Sequence, residues 1–175
     1  MRRFHPILLW LAAGATAAAF ATQIPANSQQ HTLIGQATVI DGDTIEIHGQ
    51  RVRLAKVDSP ESSQSCLDAA GKSYRCGQKA SFALADFIAR SIVSCTPEVS
   101  RLGRVETSYN RIVATCYARG RDLSSWLVES GWATPYWKYG GELYRDEYQR
   151  AKQARAGIWV GSFEEPAHFR AKSRQ

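Results

Sequence analysis

Short segments of alternating hydrophobic and polar residues open the folded part of the chain, at residues 33–40, 44–48 and 51–57. Asp41-Gly42 separates the first two segments, and Gly49-Gln50 separates the next two. Turns of this composition join antiparallel strands, and a period of two places every second side chain on one face of a sheet. The pattern therefore predicts a meander of three antiparallel strands.

Two further β-rich segments, residues 92–99 and 112–117, flank a polar stretch at residues 101–110. The polar stretch predicts a long exposed loop, and loops of this length in compact domains are often functional. Together with the meander, the two segments supply five strands. Five strands are enough to close a small barrel.

Three segments have the pattern of helices. Residues 77–90 place apolar side chains three and four positions apart, which puts them on one buried face. Residues 122–131 begin with Asp122 as a candidate N-cap and end at a glycine. The third predicted helix covers residues 142–156.

The order of these elements predicts an α+β fold that is mainly β, a five-stranded OB-fold barrel with about three helices. This domain would cover residues 32–170 and leave residues 171–175 as a tail. A chain of 175 residues has room for one domain of ordinary size. OB folds often bind oligonucleotides, but a fold by itself establishes no chemistry.

The first thirty residues are typical of an export signal. Arg2 and Arg3 precede an uncharged stretch at residues 6–21, which ends in the small-x-small sequence Ala19-Phe20-Ala21. The apolar run is shorter than the ~20 residues that a membrane-spanning helix needs. We therefore expect a signal peptide at residues 1–21 and a linker at 22–31, with the protein exported to the periplasm or the medium. The alternative is an uncleaved segment that anchors the domain to the membrane.

Composition adds two constraints on the class of protein. The chain is 44% hydrophobic and 22% charged, which is ordinary for a globular protein. Its net charge of +6 and pI near 9.3 favour an anionic partner, such as nucleic acid or a membrane surface. Charge alone does not distinguish between these two partners.

The chain contains four cysteines, Cys66, Cys76, Cys95 and Cys116, and an even number in an exported protein favours disulfides. No C-x-x-C pair occurs and the four histidines are scattered, so a zinc site is disfavoured. An antiparallel pairing that places residues 101 and 110 opposite each other also places Cys95 opposite Cys116. We therefore predict a Cys95–Cys116 disulfide, which leaves Cys66 and Cys76 to pair with each other.

Acidic residues recur where two of the predicted strands end, in the segments V-I-D-G-D-T (39–44) and R-L-A-K-V-D-S-P-E (53–61). Each segment taken alone is a turn or a strand exit. Together they place Asp43, Asp58 and Glu61 at the ends of adjacent strands, where three carboxylates repel one another unless a cation neutralises them. Oxygen ligands indicate a hard cation such as calcium, and the spacing does not match an EF-hand loop.

Two arginines accompany these carboxylates. Arg53 lies about 16 Å from Asp58 along an extended strand, so the strand must bend if both are to reach one phosphate. Arg111 follows the segment T-S-Y-N-R (107–111), where the long loop enters a strand. It is either a solvated surface arginine or a phosphate ligand.

The three segments V-I-D-G-D-T, R-x-x-x-V-D-S-P-E and Y-N-R, in this order, resemble the staphylococcal nuclease (thermonuclease) family, in particular its exported, cysteine-containing bacterial members. The resemblance covers residues 33–159. It implies an OB-fold barrel and a calcium site. In that site Asp43 and Asp58 would bind through their carboxylates and Ser59 through its backbone carbonyl. The usual threonine of the family is Ser59 here, a mild change because the backbone would be the ligand.

The resemblance also implies the catalytic residues. Glu61 would act as the general base that activates water, and Arg53 and Arg111 would bind the phosphate and stabilise the charge of the transition state. Thr107 and Asn110 replace the aspartate and the glycine that are usual beside this second arginine. Both replacements affect the loop that sets the orientation of Arg111.

Three tyrosines are candidates for substrate binding. By the resemblance, Tyr109 would pack on the nucleotide. Tyr136 and Tyr139 are candidates for stacking on bases, with packing in the core as the alternative for each.

The function that the resemblance implies is calcium-dependent hydrolysis of DNA and RNA with little sequence preference, leaving 3′-phosphate ends. Contacts to phosphate rather than to base edges imply little sequence preference, and access to a bent strand favours single-stranded or frayed substrates. We expect a monomer with no obligate protein partner. The alternative is a non-catalytic OB-fold module that binds single-stranded nucleic acid or a protein.

Overall fold

The structure, a computed structural model, describes residues 31–173 of the chain. The predicted signal peptide and all but the last residue of the predicted linker lie outside these residues. The strands are β1 (Leu33–Asp41), β2 (Thr44–Ile47), β3 (Gln50–Leu54), β4 (Val57–Asp58), β5 (Cys66–Leu67), β6 (Ser73–Tyr74), β7 (Ile92–Pro97), β8 (Thr107–Ser108), β9 (Arg111–Ala118), β10 (Arg121–Asp122) and β11 (Thr134–Pro135). The α-helices are α1 (Cys76–Ile88), α2 (Leu123–Glu129), α3 (Arg145–Gln153) and α4 (Pro166–Lys172). Short 3₁₀ helices occupy Trp137–Tyr139, Gly141–Tyr144 and Gly157–Val160.

Five of these strands close into a barrel. β1 pairs antiparallel with β2 and with β7, and β2 pairs antiparallel with β3. β3 pairs parallel with β9, and an antiparallel pairing of β9 with β7 closes the ring. This is the predicted OB-fold barrel, and the prediction of a mainly β α+β fold is confirmed.

The barrel interior is filled by inward-facing residues of the alternating strands. Leu84 and Ile88 of α1 are buried and belong to the same core. Full burial of one such aliphatic side chain contributes ~1.5–3 kcal/mol relative to leaving it exposed, so this core is the main source of the barrel's stability. The barrel strands contribute Ile45, Ile47, Val52, Leu54 and Val93 as its largest fully buried aliphatic residues.

The predicted third strand, residues 51–57, is not continuous. β3 ends at Leu54, Lys56 adopts a left-handed conformation with φ of 66°, and β4 then pairs with β11. Apolar residues continue across the break, but Val57 follows Leu54 by three positions instead of two, so the period-two alternation changes phase there. The break supplies the bend that Arg53 and Asp58 require if they are to meet.

The predicted loop at residues 101–110 contains a strand of its own. β8 pairs with β9 so that Ser108 lies opposite Arg111, and only Tyr109 and Asn110 connect the two strands. Both connecting residues have positive φ, 48° and 61°, as in a type I′ hairpin turn. Asparagine tolerates this conformation better than most residues, so Asn110 serves where glycine would be expected.

The first three α-helices lie near their predicted positions. α2 begins at the predicted N-cap, because the Asp122 side chain accepts hydrogen bonds from the backbone N–H groups of Ser124 and Ser125 at 2.8 and 3.3 Å. α3 is shorter than the predicted helix at residues 142–156, since a 3₁₀ turn at Gly141–Tyr144 precedes it.

The fourth helix, α4, was not predicted. It begins with Pro166, a residue favoured at the first helical position, and ends at Lys172, within the segment assigned to the tail. Over residues 31–173, no helix combines the length and the apolar character that a membrane span requires.

Both predicted disulfides are present. Cys95 lies directly opposite Cys116 in the pairing of β7 with β9, and the two are bonded. Cys66 is bonded to Cys76 and thereby ties β5 to the start of α1. The strand register used to predict the first bond is confirmed. Disulfides of this kind are typical of extracellular and periplasmic proteins.

Candidate active site

A cleft of about 460 Å³ opens at the side of the barrel, between the turn after β1, the segment after β4, the β8–β9 hairpin and α4. We call it the site cleft. Asp58 lies beneath it and contacts arginines that line it. Tyr139 lies outside it. The predicted site residues that line it are Asp43, Arg53, Ser59, Glu61, Tyr109, Arg111 and Tyr136.

A β-bulge brings Asp43 to the cleft. The register of β1 against β2 shifts between Val39 and Asp41, and the backbone N–H of Asp43 donates to the Asp41 side chain at 3.0 Å. Gly42 is required here, because a Cβ at this position would lie 2.1 Å from the hydroxyl oxygen of Ser59. The close approach also brings the Ser59 N–H to 3.4 Å from a carboxylate oxygen of Asp43.

Arg53 joins the two buried aspartates. Its Nη1 lies 2.6 Å from Oδ2 of Asp43, and its Nη2 lies 3.3 Å from Oδ1 of Asp58. The same Nη2 donates to the backbone carbonyl of Val57 at 3.1 Å, a contact made possible by the break after β3. Burial alone would lower the pKa of Arg53, but the charges of Asp43 and Asp58 outweigh this effect and raise the pKa.

Arg111 also points into the cleft, although Thr107 and Asn110 depart from the expected loop sequence. Its Nη1 donates to the Thr44 hydroxyl at 2.7 Å and lies 3.9 Å from Oδ1 of Asp43. Its Nε donates to the carbonyl of Ser108 at 3.2 Å, which fixes the side chain against the hairpin. Arg53 and Arg111 therefore approach Asp43 through different carboxylate oxygens.

Glu61 is held at the cleft by its backbone. The buried amide of Gln64 accepts a hydrogen bond from the Glu61 N–H at 3.2 Å, and the Gln64 N–H donates to the Glu61 carbonyl at 2.7 Å. Gly77, in the first turn of α1, abuts the same carbonyl, and a Cβ there would lie 1.8 Å from the oxygen. The Glu61 side chain remains more exposed than those of the aspartates, at 37%.

Arg170 of α4 is a site residue that the sequence analysis missed. Its Nη1 and Nη2 lie 2.8 and 2.9 Å from the two carboxylate oxygens of Asp58, and Nη1 also lies 2.8 Å from Oε1 of Glu61. The only signal in the sequence is Pro166 after two glutamates, which indicates a helix start. Nothing local indicates a contact with a residue 112 positions earlier.

Two of the three predicted tyrosines, Tyr109 and Tyr136, line the cleft, and Tyr139 lies beside it. Tyr109 is 77% exposed at the tip of the β8–β9 hairpin, and Tyr136 lies with its ring centroid 6.0 Å from the Arg53 guanidinium. Tyr139 packs edge-on against Tyr136 and lines an adjoining cavity of about 270 Å³ instead. All three tyrosines line this second cavity, so it is a continuation of the cleft with aromatic walls.

The donor groups fit a hard cation. Asp43 and Asp58 are 5% and 3% exposed, and both carboxylates contact the guanidinium of Arg53. Burial raises the pKa of Asp41, and the nearby charge of Asp43 raises it further, so a cation would relieve this repulsion. No three His, Cys, Asp or Glu side chains in residues 31–173 form a ready cluster of metal ligands. The buried carboxylate oxygens available to a cation in this cleft are those of Asp43 and Asp58.

The cleft of this OB-fold barrel combines the buried carboxylates of Asp43 and Asp58 with two arginines, Arg53 and Arg111, that converge on Asp43. A family model described as Staphylococcal nuclease homologue matches residues 51–161, and the chain belongs to that family. The matched segment contains Arg53, Asp58, Glu61 and Arg111. Arg170 lies beyond its end.

Similar proteins differ in what their names state. The chain is 45% identical over 128 residues to the succinoglycan biosynthesis protein ExoI of Rhizobium meliloti (strain 1021), covering 73% of this chain and 64% of that protein. It is 31% identical over 150 residues to a micrococcal nuclease of Shigella flexneri, covering 78% and 79%. It is 25% identical over 160 residues to an uncharacterized endonuclease of Haemophilus influenzae (strain ATCC 51907 / DSM 11121 / KW20 / Rd), covering 87% and 81%.

Proposed function

We propose that this chain is a calcium-dependent nuclease that hydrolyses phosphodiester bonds of DNA and RNA with little sequence specificity. The observation that carries the proposal is the convergence of Arg53 and Arg111 on Asp43 in one cleft, which Glu61 also lines. Two guanidiniums oriented by fixed partners suit a phosphate with charged equatorial oxygens. Names of relatives that include nuclease and endonuclease agree with this class of reaction.

Asp43, Asp58 and the backbone carbonyl of Ser59 would hold the calcium. Calcium, when bound, would polarise the phosphoryl group and offset the charge that develops on it. Glu61 is the general base. Its carboxylate is the most exposed of the three predicted acidic residues, so it is the one that water reaches most readily. Hydrogen bonds through Gln64 fix the backbone from which Glu61 projects.

Arg53 and Arg111 bind the phosphate and stabilise the transition state. Tyr109 and Tyr136 line the cleft, and all three tyrosines, Tyr139 included, line the adjoining cavity. Base stacking on such rings is tolerant of sequence and requires unstacked bases. The preferred substrates are therefore single-stranded or frayed.

The protein acts outside the cytoplasm as a monomer in this proposal. Two disulfides among the described residues support an oxidising compartment, and the basic N-terminal sequence with its apolar stretch supports export. The alternative function, a non-catalytic OB-fold module, predicts binding of single strands without cleavage.

Digestion of plasmid DNA and of single-stranded RNA by the purified protein tests the proposal. We expect cleavage with calcium, weak cleavage with magnesium because its strict octahedral geometry suits this donor set poorly, and none with chelator. Glu61→Gln keeps the shape of the side chain but removes the base, and should lower the rate ~10²- to 10⁴-fold. Glu142→Gln, which changes an exposed surface carboxylate, is the matched control.

Full activity in chelator would refute the calcium assignment, and a loss below about tenfold for Glu61→Gln would refute its role as base. Tight binding of single strands without any cleavage would favour the non-catalytic module.

A further inference from the structure

Arg170 occupies Asp58, one of the two carboxylates that the proposed calcium site needs. It contacts both oxygens of Asp58 at 2.8 and 2.9 Å, and reaches Glu61 with the same guanidinium. The Asp58 side chain is 5% exposed, and that of Arg170 is 25% exposed. A bidentate pairing at these distances is a strong, orienting contact. Arg170 thus donates a hydrogen bond to each carboxylate oxygen of Asp58.

The segment that leads into α4 is tied to the same site by polar bridges. The buried side chain of Gln64 accepts from the Glu61 N–H and donates to the carbonyl of Glu164 at 2.6 Å. The hydroxyl of Thr134 lies 3.3 Å from the Asp58 carbonyl and 3.4 Å from the Glu165 carboxylate. The docking of α4 is therefore coupled to the two residues that Arg170 contacts.

The charge balance of the cleft makes this coupling consequential. Four carboxylates in and beneath the cleft carry negative charge: Asp41, Asp43, Asp58 and Glu61. The guanidiniums of Arg53 and Arg111 neutralise two of these charges and leave a net charge of −2. Arg170 adds a third positive charge and so removes half of the remaining negative charge. A divalent cation would meet a weaker attraction while Arg170 is docked, and a stronger one once it has left.

We infer that Arg170 is a built-in counter-ion that competes with calcium for Asp58 while it pairs with Glu61, so that the docking of α4 and the binding of calcium oppose each other. This inference rests on the proposed calcium site. Coupling between two such events is reciprocal: calcium loosens Arg170 and the end of α4 by the same factor by which Arg170 weakens calcium binding. The chain thereby carries its own inhibitor of metal loading.

Calorimetric titration of calcium into the protein without nucleic acid tests the inference. We expect Arg170→Ala to bind calcium more tightly by about tenfold, within the roughly 5- to 150-fold range of typical couplings. Arg170→Lys keeps the charge but not the two-pronged contact, so its affinity should lie between the two. Lys172→Ala is the matched control, because it also removes one positive charge from α4. Lys172 pairs with Glu164 and not with Asp58. The calcium affinity of this variant should equal that of the unaltered protein.

Unchanged or weaker calcium binding by Arg170→Ala would overturn the inference, and weaker binding would identify Arg170 as a residue that positions Asp58 for the cation. Hydrogen exchange of the unaltered protein provides a second readout, since calcium should accelerate amide exchange in the last turn of α4. Unchanged exchange at saturating calcium would also overturn it. Absence of calcium binding in every variant, Arg170→Ala included, would instead refute the proposed metal site itself.

Discussion

At the scale of residues, the cleft is a network in which each buried carboxylate shares an arginine with its neighbour. Arg53 connects Asp43 to Asp58, and Arg170 connects Asp58 to Glu61. Removing one partner of a buried pair leaves a charge without compensation, which costs far more than the pair contributes to stability. Substitutions that keep the charge are therefore the informative ones, since they separate geometry from electrostatics.

For Arg53 and Arg111, which we propose bind the phosphate, we predict that Arg53→Lys and Arg111→Lys each lower kcat by ~10²- to 10³-fold, the cost of losing one oriented transition-state donor. Lysine keeps the positive charge but lacks the planar fork that reaches two oxygens at once. Steady-state rates on a single-stranded oligonucleotide measure the effect. Arg145→Lys, at an exposed arginine paired with Glu142, serves as the control. Near-normal turnover of Arg111→Lys would remove this residue from the mechanism.

Residues of the cleft could be predicted from the sequence only where they belong to a recognisable motif. Asp43, Arg53 and Asp58 stand in two short segments whose spacing restricts them to neighbouring strand ends, and the structure brings them together. Arg170 belongs to a short polar helix with no distinctive spacing, and its contact with Asp58 joins distant parts of the chain. Sequence motifs and hydrophobic periodicity indicate local structure. They do not indicate a contact that arises only from tertiary packing, such as the contact between Arg170 and Asp58.

At the scale of elements, two backbone features determine where the arginines point. The left-handed Lys56 ends β3 and turns Val57 and Asp58 back toward Arg53, and the type I′ turn at Tyr109 and Asn110 aims Arg111 across the cleft. Strand existence and pairing followed from alternation and turn residues, as the confirmed register of β7 with β9 shows. The break after β3 was not predicted, although the spacing of apolar residues changes there from two positions, Val52 to Leu54, to three, Leu54 to Val57.

The disulfide between β7 and β9 yields a prediction about the stability of the barrel. Replacing Cys95 and Cys116 together by alanine should lower the free energy of unfolding by about 3 kcal/mol in the chain-entropy account, since the bond closes a long loop. Urea unfolding, followed by circular dichroism, measures the loss. The double variant Cys66→Ala/Cys76→Ala is a comparison with a shorter loop, a separation of 10 residues against 21, and should lose slightly less.

Loop length alone predicts that the Cys95 and Cys116 variant loses more unfolding free energy than the Cys66 and Cys76 variant. A larger loss for the Cys66 and Cys76 variant would show that this bond stabilises the folded state through local contacts. The Cys66–Cys76 bond lies in a small buried cluster with Ile158, so this outcome has a definite structural interpretation.

At the scale of the whole molecule, composition predicted the kind of partner and compartment but no particular site. The net charge of +6 favoured an anionic partner, and the even number of cysteines favoured disulfides, which the structure contains. Neither property locates a cleft. The long-range field of a basic protein attracts any polyanion, whereas the arrangement of arginines around Asp43 is the local feature on which the proposed phosphate contact rests.

This difference between the overall charge and the site cleft leads to a prediction about salt. In the Glu61→Gln background with calcium present, the affinity for a fluorescent single-stranded oligonucleotide should fall linearly with salt on a logarithmic plot. In a plot of log affinity against log salt concentration, each phosphate contact contributes a slope of about −0.7 for single strands. Contacts by Arg53 and Arg111 therefore predict a slope of about −1.4 or steeper. Adding Arg111→Gln should make the slope shallower by about 0.7, whereas Arg145→Gln on the surface should leave it unchanged. Fluorescence anisotropy at several salt concentrations measures these slopes. An affinity independent of salt would mean that stacking on Tyr109, Tyr136 and Tyr139 holds the substrate, with the phosphate contacts contributing little.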